Sequence, residues 1–165
     1  MKYFACALLA AIASQPTVPT TARTALPQAA AAAKKWHADA TLTNVSSLTV
    51  NRDGSAKWWM YTFYAPGSKT SLNVTVAPGA PLDTLQVPNT SMVPIGSTFV
   101  DSDQALQEAL KHDLKGSDLS MGLVVMGFTG SAVWGINATA GDDIVSVLID
   151  GKTGAFIRRE VISLK

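Results

Sequence analysis

A 75-residue offset lays one half of this chain over the other without a gap. Ala30 falls on Ala105, His37 on His112, Trp59 on Trp134 and Ala65 on Ala140, followed by Ser71 on Ser146, Gly79 on Gly154 and Ala80 on Ala155. Leu48, Val50, Leu72 and Val74 fall opposite Leu123, Val125, Val147 and Ile149. Identities are few. The correspondence lies in the kind of residue at each position: helix on helix, turn on turn, inward face on inward face. A fold for this chain must therefore present the same run of elements twice.

In the first half, residues 28–38 are alanine-dense behind Pro27, a residue favourable in a first helical turn, and predict a helix that packs through alanines and Trp36. Leu48 and Val50 alternate, Asp53-Gly54 turns the chain, and residues 57–64 form a dense aromatic strand. After the turn at residues 65–68, Leu72, Val74 and Val76 point one way while Ser71, Asn73 and Thr75 point the other. Residues 82–87 complete the set.

In the second half, Asp101 or Ser102 caps a helix over residues 103–115, closed by Gly116, with Leu106, Ala109, Leu110 and Leu114 as its apolar face. Strands follow at 121–128, 132–139, 144–149 and 155–162, the last two joined by the tight turn Asp150-Gly151-Lys152-Thr153-Gly154. The predicted fold is α+β: two repeats, residues 27–87 and 101–165, each one helix packed on a four-stranded antiparallel meander sheet. Residues 88–100, marked by Pro88, Pro94 and Gly96, form the linker.

The N-terminus reads as an export signal over residues 1–13. Lys2 supplies a positive start, an apolar run follows to Ile12, and Ala11-Ile12-Ala13 places small residues where a signal peptidase reads. The run is about ten residues, half of the roughly twenty a membrane-spanning helix needs. Thr20-Thr21-Ala22 offers a second cleavage point, near Ala22. The single cysteine, Cys6, lies inside this signal, so the exported chain has no thiol, disulfide or cysteine metal ligand. Residues 14–26, rich in Pro, Thr and Ala, read as a flexible leader. Loss of Lys2 leaves 12 acidic residues against 12 basic ones. With no basic block, nucleic acid is not the expected partner.

The second half resembles a PepSY-type domain, a small exported α+β module with a cystatin-like helix-on-sheet layout. The residues that carry the resemblance are the Ala/Leu helix from Ala105 to Leu114, Trp134 in a middle strand, and Val145 to Ile149 running into Asp150-Gly-Lys-Thr-Gly154. It covers residues 101–163; in the first half Ala77-Pro78-Gly79 stands where that turn would be. The tandem is also similar in layout alone to the β-lactamase-inhibitor protein, whose disulfides this chain lacks. The PepSY resemblance implies an exported, non-catalytic module that restrains peptidases, with no catalytic set to carry over.

Among chemistry-bearing residues, the sequence contains no metalloprotease, nucleophile-elbow or phosphate-loop motif and no metal-ligand spacing, so neither a cofactor nor a metal is expected. His37 and His112 read as helix-end or packing residues. Asp101-x-Asp103 reads as a helix cap, lacking the glycine and distal glutamate of a calcium loop. Asp142-Asp143 reads as a solvated turn. Asn44, Asn73, Asn89 and Asn137 each stand in Asn-x-Ser/Thr, the glycan acceptor pattern of eukaryotic secretory proteins.

The aromatic strand is the one excess. Trp59, Tyr61 and Phe63 share a face assigned to the core. Trp58, Met60, Thr62 and Tyr64 share the other, assigned first to packing between repeats and second to an open binding surface. The candidate partner-binding residues are Trp58, Met60 and Tyr64, with Arg158 on the last strand. The expected function is a preformed sheet surface that binds a protein partner, a peptidase. The alternatives are an envelope carbohydrate- or lipid-binding protein using Trp58 and Tyr64, and a small enzyme on a cystatin-like cone.

Overall fold

The computed structural model describes residues 18–89, 93–96, 98–127 and 129–165. The predicted signal at residues 1–13, the cleavage point at Ala13 and Cys6 lie outside the described residues. Ten elements follow in order: α1 (Ala22–Trp36), β1 (Thr41–Ser47), β2 (Trp59–Tyr64), β3 (Thr70–Val76), β4 (Asp83–Pro88), α2 (Ser102–Leu110), β5 (Ser117–Met126), β6 (Ser131–Ala140), β7 (Asp143–Asp150) and β8 (Phe156–Ser163).

The predicted pair of separate four-stranded sheets is wrong. All eight strands form one antiparallel sheet in the order β4-β3-β2-β1-β5-β6-β7-β8. The join is the β1–β5 ladder, which pairs Asn44 with Val124, Val45 with Leu123, Ser46 with Gly122 and Ser47 with Met121. The reason is physical. In two separate meanders β1 and β5 would each be an edge, with a row of unpaired backbone N–H and C=O groups. Each edge satisfies the other.

One core results, with buried side chains from both halves in a single cluster. At its centre the rings of Trp59 and Trp134 meet edge to face, with centroids 6.2 Å apart and planes at 71°. Their indole N–H groups donate to the Thr20 and Val100 carbonyls at 2.8 and 2.9 Å. Small, fully buried Ser47 lies on β1 between the two strands that carry them.

Both helices lie on the same side of the sheet, α1 over β2 and β3, α2 over β6 and β7. α1 buries only alanines, Ala22, Ala25, Ala29 and Ala33, a spacing that puts one small-residue stripe against the strands. It starts at Ala22, not at residue 28, so residues 22–26 of the expected leader are helix and Pro27 sits inside it. What starts it early is the other half of the chain. Asp101, the N-cap of α2, accepts from both Ser102 N at 2.7 Å and Arg23 N at 2.9 Å. Ser102 Oγ accepts from Ala22 N at 3.1 Å and donates to Gly54 O at 2.7 Å. One Asp-Ser pair thus caps two helix starts and holds the β1–β2 loop.

Other boundaries also move. α2 ends at Leu110, and the backbone turns at Asp113, with φ of 61°, well before Gly116. Gly116 serves another purpose: its φ is 128°, and a Cβ there would overlap the Thr139 carbonyl oxygen. The first strand runs over Thr41–Ser47, not around Leu48 and Val50; Leu48 is exposed, and Val50 lies outside the strand, bridging Ala56 and donating its N–H to Leu119 O at 2.8 Å.

Candidate functional site: the helix-free sheet face and an apolar cavity

Cross-strand partners in an antiparallel ladder share a face, so the registers sort the side chains. Trp59, Tyr61, Phe63, Trp134, Ile136, Val147 and Ile149 face the helices and are buried. The Tyr61 hydroxyl donates to Ala22 O at 2.5 Å, and burial, followed by the Asp101 charge, pushes its pKa far up, so it stays a neutral donor.

The opposite face carries Met60, Thr62 and Tyr64 on β2, Asn73 and Ser71 on β3, Asn44 and Ser46 on β1, Gly122 on β5, Gly135 and Asn137 on β6, and Leu148 and Ser146 on β7. Neither helix crosses it. Residues 94–96 and 98–100 also run on the helix side, where Phe99 packs edge to face on Trp134 and Val100 N bonds Gly151 O. On β1 and β3 the helix-free face is short and polar, while on β5, β6 and β7 it carries Val124, Val133 and Leu148, of which Val133 and Leu148 are buried. Thr62 Oγ1 donates to Asn73 Oδ1 at 2.9 Å and Ser71 Oγ to Asn89 Oδ1 at 3.1 Å, while buried Asn44 Oδ1 has no partner among the described residues.

Trp58, just before β2, and Met60 and Tyr64 within it are half-buried. The packing between repeats assigned to their face does not occur, because the halves join edge to edge and meet through Trp59 and Trp134 instead. Arg158 on β8 is exposed, lies beside Leu148 on this same face, and pairs with Glu160 at 3.1 Å. The structure does not bring it to the aromatic group. Five inter-strand steps separate β2 from β8, about 24 Å at ~4.8 Å each.

Outside this face, His37 closes α1, and its Nδ1 accepts from Asp39 N at 3.3 Å. His112 stacks on Phe156 with centroids 3.8 Å apart and bonds Glu108 at 3.1 Å. No group of His, Cys, Asp and Glu among the described residues could hold a metal ion. Asp142 meets Lys165 at 3.1 Å. The Asp150 carboxylate accepts from Thr153 N at 2.7 Å, Thr153 Oγ1 at 2.9 Å and Lys152 N at 3.0 Å, and Gly154 supplies a φ of 75°. Those bonds, Thr153 N–H first, hold its carboxyl below the ordinary 3.8. Asn44, Asn73 and Asn137 lie within strands, and only Asn89, past β4, is exposed.

Sequence reading missed a cavity of about 310 Å³ between α1, the start of β1 and residues 94–96, lined by Leu26, Ala30, Ala40, Leu42, Phe63 and Pro94 together with Thr41 and Gly96. A signal existed: Leu26, Ala30 and Lys34 stand at helical spacing, which a helix beginning at residue 28 hides.

No family model and no curated protein matches this chain. It is similar to a solved structure described as a "putative lipoprotein (CD1622)" from Clostridium difficile 630, with a TM-score of 0.61 and 13% identity over 92% of this chain and 98% of that one. At that identity the likeness establishes a shared fold over nearly the whole of both chains.

Proposed function

We propose that this protein is an exported, non-catalytic binding module that docks a partner protein, of the peptidase class, on the helix-free face of its sheet. The observation that carries the reading is the one-sided construction. Both helices and the described part of the connector lie on one side, leaving the other with Trp58, Met60 and Tyr64 half-exposed along one strand. Aromatic residues of this kind anchor interfaces, because they bury a large apolar area at small entropic cost. Export is supported by the Lys2-to-Ala13 pattern and by the name of the structural neighbour. The peptidase class rests on the PepSY resemblance.

The test uses protein tagged at its C-terminus and purified from its own host after cross-linking. A peptidase should be enriched by the native protein and lost from a Trp58→Ala/Tyr64→Ala variant that melts at the native temperature. The purified peptidase should then be slowed by the native protein and not by the variant. Equal capture by both proteins, or capture without any effect on peptide hydrolysis, overturns the reading.

A further inference from the structure

The 310 Å³ cavity lies on the helix side of the sheet, away from the proposed docking face. Its walls are Leu26 and Ala30 of α1, Ala40, Leu42 and Phe63 of the sheet region, and Pro94 from the segment above. Ala40, Leu42 and Phe63 are buried to within 9% of full exclusion from water. The one polar residue in the lining, Thr41, pairs with Tyr64 across the ladder, so its side chain turns to the other face, where its hydroxyl donates to Tyr64 O at 3.2 Å. Nothing in the interior offers a free hydrogen-bonding group, so the body of a ligand here must be hydrocarbon.

The rim is different. Lys34 stands one turn beyond Ala30, in line with Leu26 and Ala30 on the same row of α1. Its ammonium donates to Ala38 O at 2.7 Å and to Ala40 O at 3.3 Å, which anchors it beside a residue of the cavity wall. An ammonium has three N–H donors, so a third remains unclaimed among the described residues. No carboxylate there comes within ion-pair distance of it. The neighbouring charges, Lys35 and Asp39, are exposed.

A half-open apolar interior beside a tethered cation with no carboxylate partner complements one kind of ligand. We propose that this cavity binds an apolar chain ending in an anionic group, either a fatty acid or an acyl chain under a phosphate, with Lys34 as the counter-charge. The site is independent of the sheet face, so the Trp58→Ala/Tyr64→Ala variant keeps it.

The experiment titrates the purified full chain with cis-parinaric acid, a fluorescent fatty acid, and reads saturation at one per chain. Ala30→Leu and Leu26→Trp each fill the cavity from α1, both at half-buried positions. Each should weaken binding at least ten-fold with the melting temperature kept, and having both guards against one failing to fold. Lys34→Gln should weaken competition by dodecanoate about three-fold, the scale of a solvent-exposed ion pair, and leave competition by dodecanol unchanged. Displacement of the probe by phosphatidylglycerol vesicles would identify a membrane lipid as the source, and displacement by free fatty acid alone a soluble one. The proposal is overturned if the probe does not saturate, if filled variants with native melting bind as well as the native protein, or if Lys34→Gln affects acid and alcohol alike.

Discussion

Ser102→Ala tests whether one hydroxyl holds the two halves in register. Ser102 is fully buried, as is Ala22, whose N–H it receives at 3.1 Å, while its own proton goes to Gly54 O at 2.7 Å. Alanine fills almost the same space, so packing is conserved and the effect isolates the two hydrogen bonds. Each orphaned buried group costs about 1–3 kcal/mol. Asp101 still caps Arg23 N, so α1 is not left bare, and the expected total is about 3 kcal/mol. For a chain of 165 residues, where 1 kcal/mol moves the midpoint by about 2–4 °C, that is a fall of about 6–12 °C. Thermal melts followed by tryptophan fluorescence and far-ultraviolet circular dichroism should coincide, because Trp59 and Trp134 sit in one core. Urea unfolding should show a lower midpoint at unchanged slope. Ser117→Ala, which removes an exposed hydroxyl bonded to Asp118, is the control and should stay within about 0.5 kcal/mol of native. A Ser102→Ala loss no larger than the control's would refute the account of this residue as the clamp between helices.

Gly116→Ala should cost at least about 2 kcal/mol, since it combines a positive φ with overlap on the Thr139 carbonyl, whereas Gly141→Ala, with open space around it, should cost about 1 kcal/mol; urea midpoints measured side by side separate the two. The Asp150 carboxyl is held low, chiefly by the Thr153 N–H, so its contribution is complete above its ordinary 3.8 and is lost as the pH falls through the folded value. The native urea midpoint should therefore drop below about pH 4, and Asp150→Asn should lower the midpoint at pH 7 while flattening that acid limb. If the proposed export signal is cleaved, the new N-terminus, read by intact-mass spectrometry, should lie upstream of Thr20: cleavage at Ala22 would remove the carbonyl that receives Trp59 Nε1 and the strand bridge to Ala56.

The legible parts of this fold were those governed by near neighbours in sequence. β6, β7 and β8 lie within one residue of where the sequence put them, because glycine- and aspartate-bearing turns bound each one. The Asp150–Gly154 turn follows from chemistry inside five residues. The assignment of Trp59, Tyr61 and Phe63 to the core holds: all three are buried against the helix side, with half-buried Met60 and Tyr64 on the other face. What stayed hidden depends on distant partners. β1 reads Thr-Leu-Thr-Asn-Val-Ser-Ser, with Thr43 and Ser47 fully buried and a register shift between Leu42 and Asn44, so its period-2 signal is broken where it matters. The start of α1 is set by Asp101 and Ser102, some 80 positions away. The joining of two edges into one sheet leaves no local mark at all.

That edge-to-edge joining also decides what a partner on the helix-free face can be. Stacked halves would have buried Trp58, Met60 and Tyr64 between them; a continuous sheet of eight strands leaves them facing out on a surface roughly 34 Å across. A specific interface needs about 800 Å² from each side, which such a face can supply without either helix. The aromatic group and Arg158 lie about 24 Å apart on it. An extended peptide paired along one strand reaches only one of them, whereas a folded domain laid across the strands covers both. Trp58→Ala and Arg158→Ala should then each weaken one and the same partner, with effects that add within about 0.5 kcal/mol, as sites this far apart do. If calorimetric titration finds Arg158→Ala silent while Trp58→Ala abolishes binding, the partner engages only the β2 side, and the face is a peptide groove.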